Sequence, residues 1–265
     1  MADGERGLAR VISTASNDAI AIWPGEGAPL AFDTLVMRAC VWSGILLVAM
    51  TAVGLGWFMG YAPPPHADWS ADKSLAFVSA NQTSILVGAA LCTFFWSLWA
   101  TWTAPIILCI RQMERAPLLT IASVVGVGGG AGVITIIAVS WTVMAFRAES
   151  PQIVQAFNDL GFFLFLYTWP PFAVWMVIIA VAILRDVNLR PLLPRSVAYY
   201  NLVCAIGMAP ASLMGFFKTG PFAFHGLLAF WLVALDFFIW MLVMSWVMLG
   251  VIRRAEGTMH RQTND

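Results

Sequence analysis

Long apolar blocks separated by short polar links run through most of the chain. Six of them, at about 33–60, 83–110, 117–146, 161–184, 196–217 and 222–252, each hold the roughly 20 apolar residues that a helix needs to cross a bilayer core. The longest exceed what a straight crossing requires, so those helices tilt or protrude. None shows the period-two alternation of a membrane barrel strand. The pattern therefore predicts an all-α integral membrane protein with six transmembrane helices in one bundle over 33–252. Ahead of it, Leu8, Val11, Ile12, Ala15, Ala19 and Ile22 recur at helical spacing with polar residues between them. Segment 1–32 is thus expected to form an amphipathic helix at the membrane surface, closed by the Pro24–Gly25 turn. A basic tail, 253–265, follows the last span.

The polar links carry a strong bias of charge. Eleven of the 14 basic residues, among them Arg38, Arg111, Arg115, Arg185, Arg195, Arg253 and Arg254, fall at or before the start of the first span or in alternate links after it. Only Lys73, Arg147 and Lys218 fall on the other side. By the positive-inside rule both termini are expected in the cytoplasm, which requires an even number of spans. The expected location is the cell membrane, the inner membrane if the source is bacterial.

Composition agrees and narrows the function. Hydrophobic residues make up 60% of the chain and charged ones 11%, against about 25% charged in soluble proteins. The net charge is zero, so no basic excess exists to bind nucleic acid. Cys40, Cys92, Cys109 and Cys204 all lie inside spans without CxxC spacing, as small buried residues. Three histidines are too few for a haem or multinuclear metal centre, and GxSxG and HExxH are both absent. Catalysis by this chain alone is therefore disfavoured, and no cofactor is expected. In the loop after the first span, His66 and Asp68 form an incomplete metal pair that would need a ligand from elsewhere; a solvated surface is the expectation.

Four irregularities interrupt the apolar blocks. Asp236 lies mid-way along the sixth span, where a carboxylate costs at least about 2.5–3.5 kcal/mol and so faces protein or water. Eleven residues before it, His225 returns to nearly the same helical face about 16 Å away, so the two would line one path inward from outside. Trp240 follows Asp236 by one turn. Tyr167-Thr168-Trp169-Pro170-Pro171 breaks or kinks the fourth span, because two prolines remove donors and clash with the preceding turn. Gly126/Gly130 and Gly128/Gly132 in the third span are overlapping GxxxG pairs, expected to let helices pack closely. In the fifth span Asn201, about one turn inside the expected cytoplasmic interface, and Pro210 form the last irregularity.

Thirteen tryptophans add a further signal. Trp57, Trp69, Trp141 and Trp246 fall near span ends, as interfacial residues do. Trp96, Trp99, Trp102, Trp169, Trp175, Trp231 and Trp240 lie deeper and can wall a cavity for an apolar molecule. Together these features point to transport or permeation of a small apolar or amphipathic molecule, or of a proton or monovalent cation. The expected binding residues are Asp236, Trp240, Tyr167, Thr168, Trp169, His225 and Asn201, with no resident metal. The alternative is a non-transporting binding or assembly protein, or an accessory subunit of a membrane enzyme. The bilayer is the main partner, and six long glycine-bearing helices invite homo-oligomerisation.

Overall fold

The computed structural model describes residues 34–188 and 191–262. The amphipathic segment expected at 1–32 lies outside them, as do Leu189 and Arg190. Among the described residues the chain is all-helical and contains no strand. Six helical stretches are long and apolar enough to cross a membrane: Thr34–Phe58, Gln82–Met113, Leu118–Phe146, Pro151–Leu184, Arg195–Phe216 and Leu227–Glu256. The protein is a multi-pass membrane protein.

Several spans are built from more than one helical segment. The first joins α1 (Thr34–Thr51) to a π-helical turn, Ala52–Phe58. A short helix outside the spans, α2 (Ala71–Ala80), starts where the Ser70 hydroxyl accepts from the Lys73 amide. Hydropathy gives no hint of it, since it is too short to cross and too polar to form an apolar block. The second span divides into α3 (Gln82–Trp96) and α4 (Trp99–Met113), and α5 (Leu118–Phe146) forms the third. The Glu114 carboxylate caps α5 by accepting from the amides of Leu119 and Thr120, both at 2.8 Å.

The fourth span starts earlier than the hydropathy suggests. Its first part, α6 (Pro151–Phe162), places Pro151 in the first turn, where a missing amide donor is harmless. Asn158 and Asp159, which read in sequence as caps for a span starting near 161, instead sit inside α6. A π-helical stretch, Phe163–Tyr167, follows; the helix then stops at Thr168 and restarts at Pro170 as α7 (Pro170–Leu184). In the fifth span α8 (Arg195–Gly207) tightens into a 3-10 helix, Ala209–Phe216. The sixth opens with a π-helical stretch, Leu227–Leu232, before α9 (Val233–Gln262). The backbone of the expected basic tail therefore continues α9 as far as Gln262.

Close approach between helices uses glycines other than those of the GxxxG run. A Cβ on Gly54 of the first span would lie 3.1 Å from the Gly88 carbonyl oxygen, and one on Gly88 only 2.7 Å from that of Gly54. The first and second spans thus meet backbone to backbone. Among the described residues, only Gly130 of the expected run on α5 is packed, against the Phe172 ring; a Cβ on Gly126, Gly128, Gly129 or Gly132 would meet none of them within 4 Å.

Hydrogen bonds between links sort the ends of the helices into two sets. The Val187 amide donates to the Met113 carbonyl, Asn188 Nδ2 to the Gln112 carbonyl, and Arg254 to the Leu192 carbonyl. Arg38 pairs with Glu256 at the same end. At the other end Gln82 reaches the Ala145 carbonyl, Gln155 the Trp69 carbonyl, and the Ala67 amide donates to His225. The first set contains the arginine-rich links.

Candidate functional site

The break in the fourth span forms one wall of a cavity with about 620 Å³ of empty space, counting the part open to its surroundings. Phe165, Leu166, Thr168, Trp169 and Phe172 come from the break and the restart of α7. Trp96 and Trp99 contribute from either side of the interruption in the second span, and Ile134 and Ile137 from α5. Val233, Ala234, Phe237, Phe238 and Met241 line the cavity from α9, on two adjacent lines of one helical face, and Leu47 of the first span and Met208 of the fifth complete the lining. Thr168 and Trp169, both expected from the sequence, are therefore here. Phe165, Phe172, Phe237 and Phe238 were not singled out in the sequence. Their only signal there is proximity, two flanking the prolines and two following Asp236.

Polar groups around this cavity have partners of their own. Thr168 Oγ1 donates to the Leu164 carbonyl, supplying a donor next to the turn that the prolines interrupt. Trp169 Nε1 donates to Ser212 Oγ at 2.9 Å, Trp96 Nε1 to Thr51 Oγ1 at 2.7 Å, and Trp99 Nε1 to the Val127 carbonyl at 3.2 Å. With each indole N–H already engaged, the walls present ring faces and aliphatic surface. Such a lining attracts apolar molecules and gives a bare ion nothing to replace its hydration.

Asp236 sits beside this cavity rather than in its lining. Its carboxyl group packs on Gly207 of α8, where a Cβ would lie 3.2 Å from Oδ2. That oxygen is buried and has no hydrogen-bond partner among the described residues, while the Cys204 thiol of α8 lies against the same carboxyl group. Asp236 lies nine residues into the sixth span, roughly 13 Å along the helix and so near the middle of a bilayer core. Tyr167 is largely exposed, close to Gly215 and Phe163.

Trp240 and Asn201 belong to a closed node. Both are fully buried, and Trp240 Nε1 donates to Asn201 Oδ1 at 2.9 Å. Asn201 Nδ2 in turn donates to the Val197 carbonyl at 2.8 Å. The Trp240 ring meets Trp102 and Trp175 edge-on, with centroids 5.4 and 5.6 Å away. Trp102 Nε1 donates to Ser245 Oγ at 2.9 Å. Neither Trp240 nor Asn201 lines the cavity.

His225 lies in the turn before the sixth span and not on its helix. The His225 ring stacks on His66 with centroids 4.2 Å apart and planes 14° apart, and its Nδ1 accepts from the Ala67 amide at 3.0 Å. His66 Nδ1 is 3.6 Å from an Asp68 oxygen. Burial, and then the neighbouring His66, hold His225 below the usual imidazole range, with Asp68 acting in the opposite direction. The turn rests on a buried outer aromatic cluster, in which Phe224 stacks on Phe162 at 4.6 Å. Trp141 belongs to the same cluster. It is wholly buried against Tyr61 and Phe162, whereas Trp57 and Trp246 are exposed as interfacial residues are.

No known protein family, characterised protein or solved structure matches the chain.

Proposed function

We propose that this protein is a membrane transport or permeation protein for a small apolar or amphipathic molecule, held in the aromatic cavity at the break of the fourth span. The observation that carries this reading is the meeting of that break with the deep Trp96 and Trp99 and one face of α9 around a single cavity. Discontinuous helices commonly build substrate sites in transporters, because they interrupt regular packing at the membrane middle. Asp236, one position before Phe237 of the lining, takes the polar or cationic end of an amphipathic substrate. Both termini lie in the cytoplasm and the protein resides in the cell membrane. The grouping of the arginine-rich links at one end of the helices supports this orientation.

The cavity is tested by irradiating the protein in liposomes with a small aromatic diazirine and mapping the label by mass spectrometry. Label is expected at Thr168–Phe172 and Val233–Phe238, and Ala234→Leu, which adds bulk to the lining, removes most of it. Label confined to exposed rings such as Trp57, Phe94 and Phe216 would refute the reading. Translocation is measured by uptake of an amphipathic aromatic dye cation into the same liposomes. Uptake is expected to collapse in Asp236→Asn; unchanged uptake removes Asp236 from the mechanism.

A second reading, assembly through identical subunits, is favoured by the glycine face of α5. Gly128, Gly129 and Gly132 are open there beside exposed Val125, Ile136 and Val139.

A further inference from the structure

The outer links bring together three groups that lie far apart in sequence: His66, Asp68 and His225. One ligand atom from each lies within 4.8 Å of the other two. Two imidazoles and a carboxylate suit a divalent transition ion such as zinc, and they leave a tetrahedral position for water. Calcium and magnesium favour sets made of oxygen alone. His66 and Asp68 stand in the loop between the first and second spans, and His225 in the turn before the sixth, so an ion held here would tie two separate links together.

Both backbones are held in place around the cluster. On one side Gln155 Nε2 donates to the Trp69 carbonyl at 2.9 Å, and the Trp69 ring stacks on His66. On the other, the Ala223 and Gly226 amides close successive turns onto Gly220 and Ala223, and the Leu228 amide reaches the Pro221 carbonyl. A Cβ at position 226 would lie 2.5 Å from the carbonyl oxygens of Gly220 and Pro221, so this turn admits only glycine there. Phe224, buried against Phe162, anchors the segment next to His225.

The hydrogen bond from the Ala67 amide also fixes the tautomer of the neutral His225 ring. Nε2 carries the proton and the single Nδ1 lone pair accepts from Ala67, so an ion ligated at Nδ1 takes the place of that hydrogen bond. Stacked rings direct their lone pairs side by side, so convergence on an ion needs one ring to turn. His66 has that freedom: its side chain is about half exposed, with ring stacking and the Asp68 contact as its restraints.

We propose that His66, Asp68 and His225 form a binding site for a divalent transition-metal ion on the face opposite the arginine-rich links, clipping the first outer loop to the entry of the sixth span. The test uses the full chain without a histidine tag, stripped with a chelator and titrated with Co²⁺ and then Zn²⁺. One Co²⁺ per chain is expected, with ligand-field absorption that Zn²⁺ abolishes and a raised unfolding temperature with either ion. His66→Ala and His225→Ala should each weaken binding by more than the roughly 10–100-fold that loss of an outer-shell partner costs. Asp68→Asn should weaken it less, and His260→Ala should leave it unchanged. X-ray absorption of the wild-type zinc complex, which does not depend on how any variant folds, should show two imidazoles on the metal. Uptake of less than one equivalent, a shell without two imidazoles, or binding lost in His260→Ala would each overturn the proposal.

Discussion

Two aromatic regions share the second, fourth and sixth spans, yet one is closed and the other open. In the closed node, Trp102, Trp175 and Trp240 meet edge to face, and Trp240 and Trp102 bond to side chains of neighbouring spans. Regular α-helix carries all three rings: α4, α7 and α9. In the open region, Trp96, Trp99 and Trp169 stand at or beside interruptions of the helix, and a cavity lies between them. Trp99 belongs to both, its ring 5.5 Å from Trp102 and Trp175 while also lining the cavity. Tryptophan content alone therefore says little about a binding site. Unbroken helices bring their rings into register and fill the space, whereas an interrupted helix offsets its rings and leaves space behind.

The sharpest way to break this comparison is to truncate a ring in each region. Trp240→Ala is expected to destabilise the protein by about 3–5 kcal/mol, the range for an aromatic removed from a packed core. Trp169→Ala, whose ring is only half-buried at the cavity, should cost clearly less. Unfolding in detergent, followed by circular dichroism, measures both; equal losses would erase the distinction. Glycines give a second test. A Cβ on Gly44 would lie 1.9 Å from the Trp102 ring, so Gly44→Ala should overpack the closed node and cost about 1–3 kcal/mol. Gly128→Ala on the open face of α5 meets nothing and should instead gain about 0.5–1 kcal/mol from helix propensity. If that face joins identical subunits, Gly128→Ala should also weaken the oligomer in cross-linking. A similarly small effect is expected of Asn201→Leu, which leaves the Trp240 N–H without its acceptor. Interhelical bonds in membranes average about 0.6 kcal/mol and reach about 1.7, and this loss should fall in that range. Unlike Asp236→Asn, it should leave dye uptake intact once the protein is folded.

Much of the architecture was legible from hydropathy, because a bilayer core demands long apolar blocks and punishes anything else. Spans that begin or end on apolar residues lay within a few residues of their structural limits. The fourth began ten residues early, because Asn158 and Asp159 look like caps; inside α6 they are simply polar residues near the outer end of a helix. The break at Thr168–Trp169 was legible for a local reason, since two prolines disrupt any helix. Its partners were not. Phe172, Phe237 and Ala234 are ordinary apolar residues until the spans meet around the cavity. His225 was misplaced because apolar composition continues to about 222 while the helix starts at Leu227.

Six stretches apolar enough to cross, the grouping of the basic links and the point at which the fourth helix breaks were all written locally in the chain. Each of these depends on the local cost of charges in lipid or of proline in a helix, which any neighbourhood would impose. The tertiary structure decided which tryptophans close ranks and which leave a cavity, and that Asp236 rests on Gly207 while the cavity lies beside it. It also decided that His225 meets His66 and the neighbouring Ala67 amide, which lies 158 positions earlier in the chain. These depend on how helices from distant parts of the chain pack, and in a chain that is 60% hydrophobic one apolar face reads much like another.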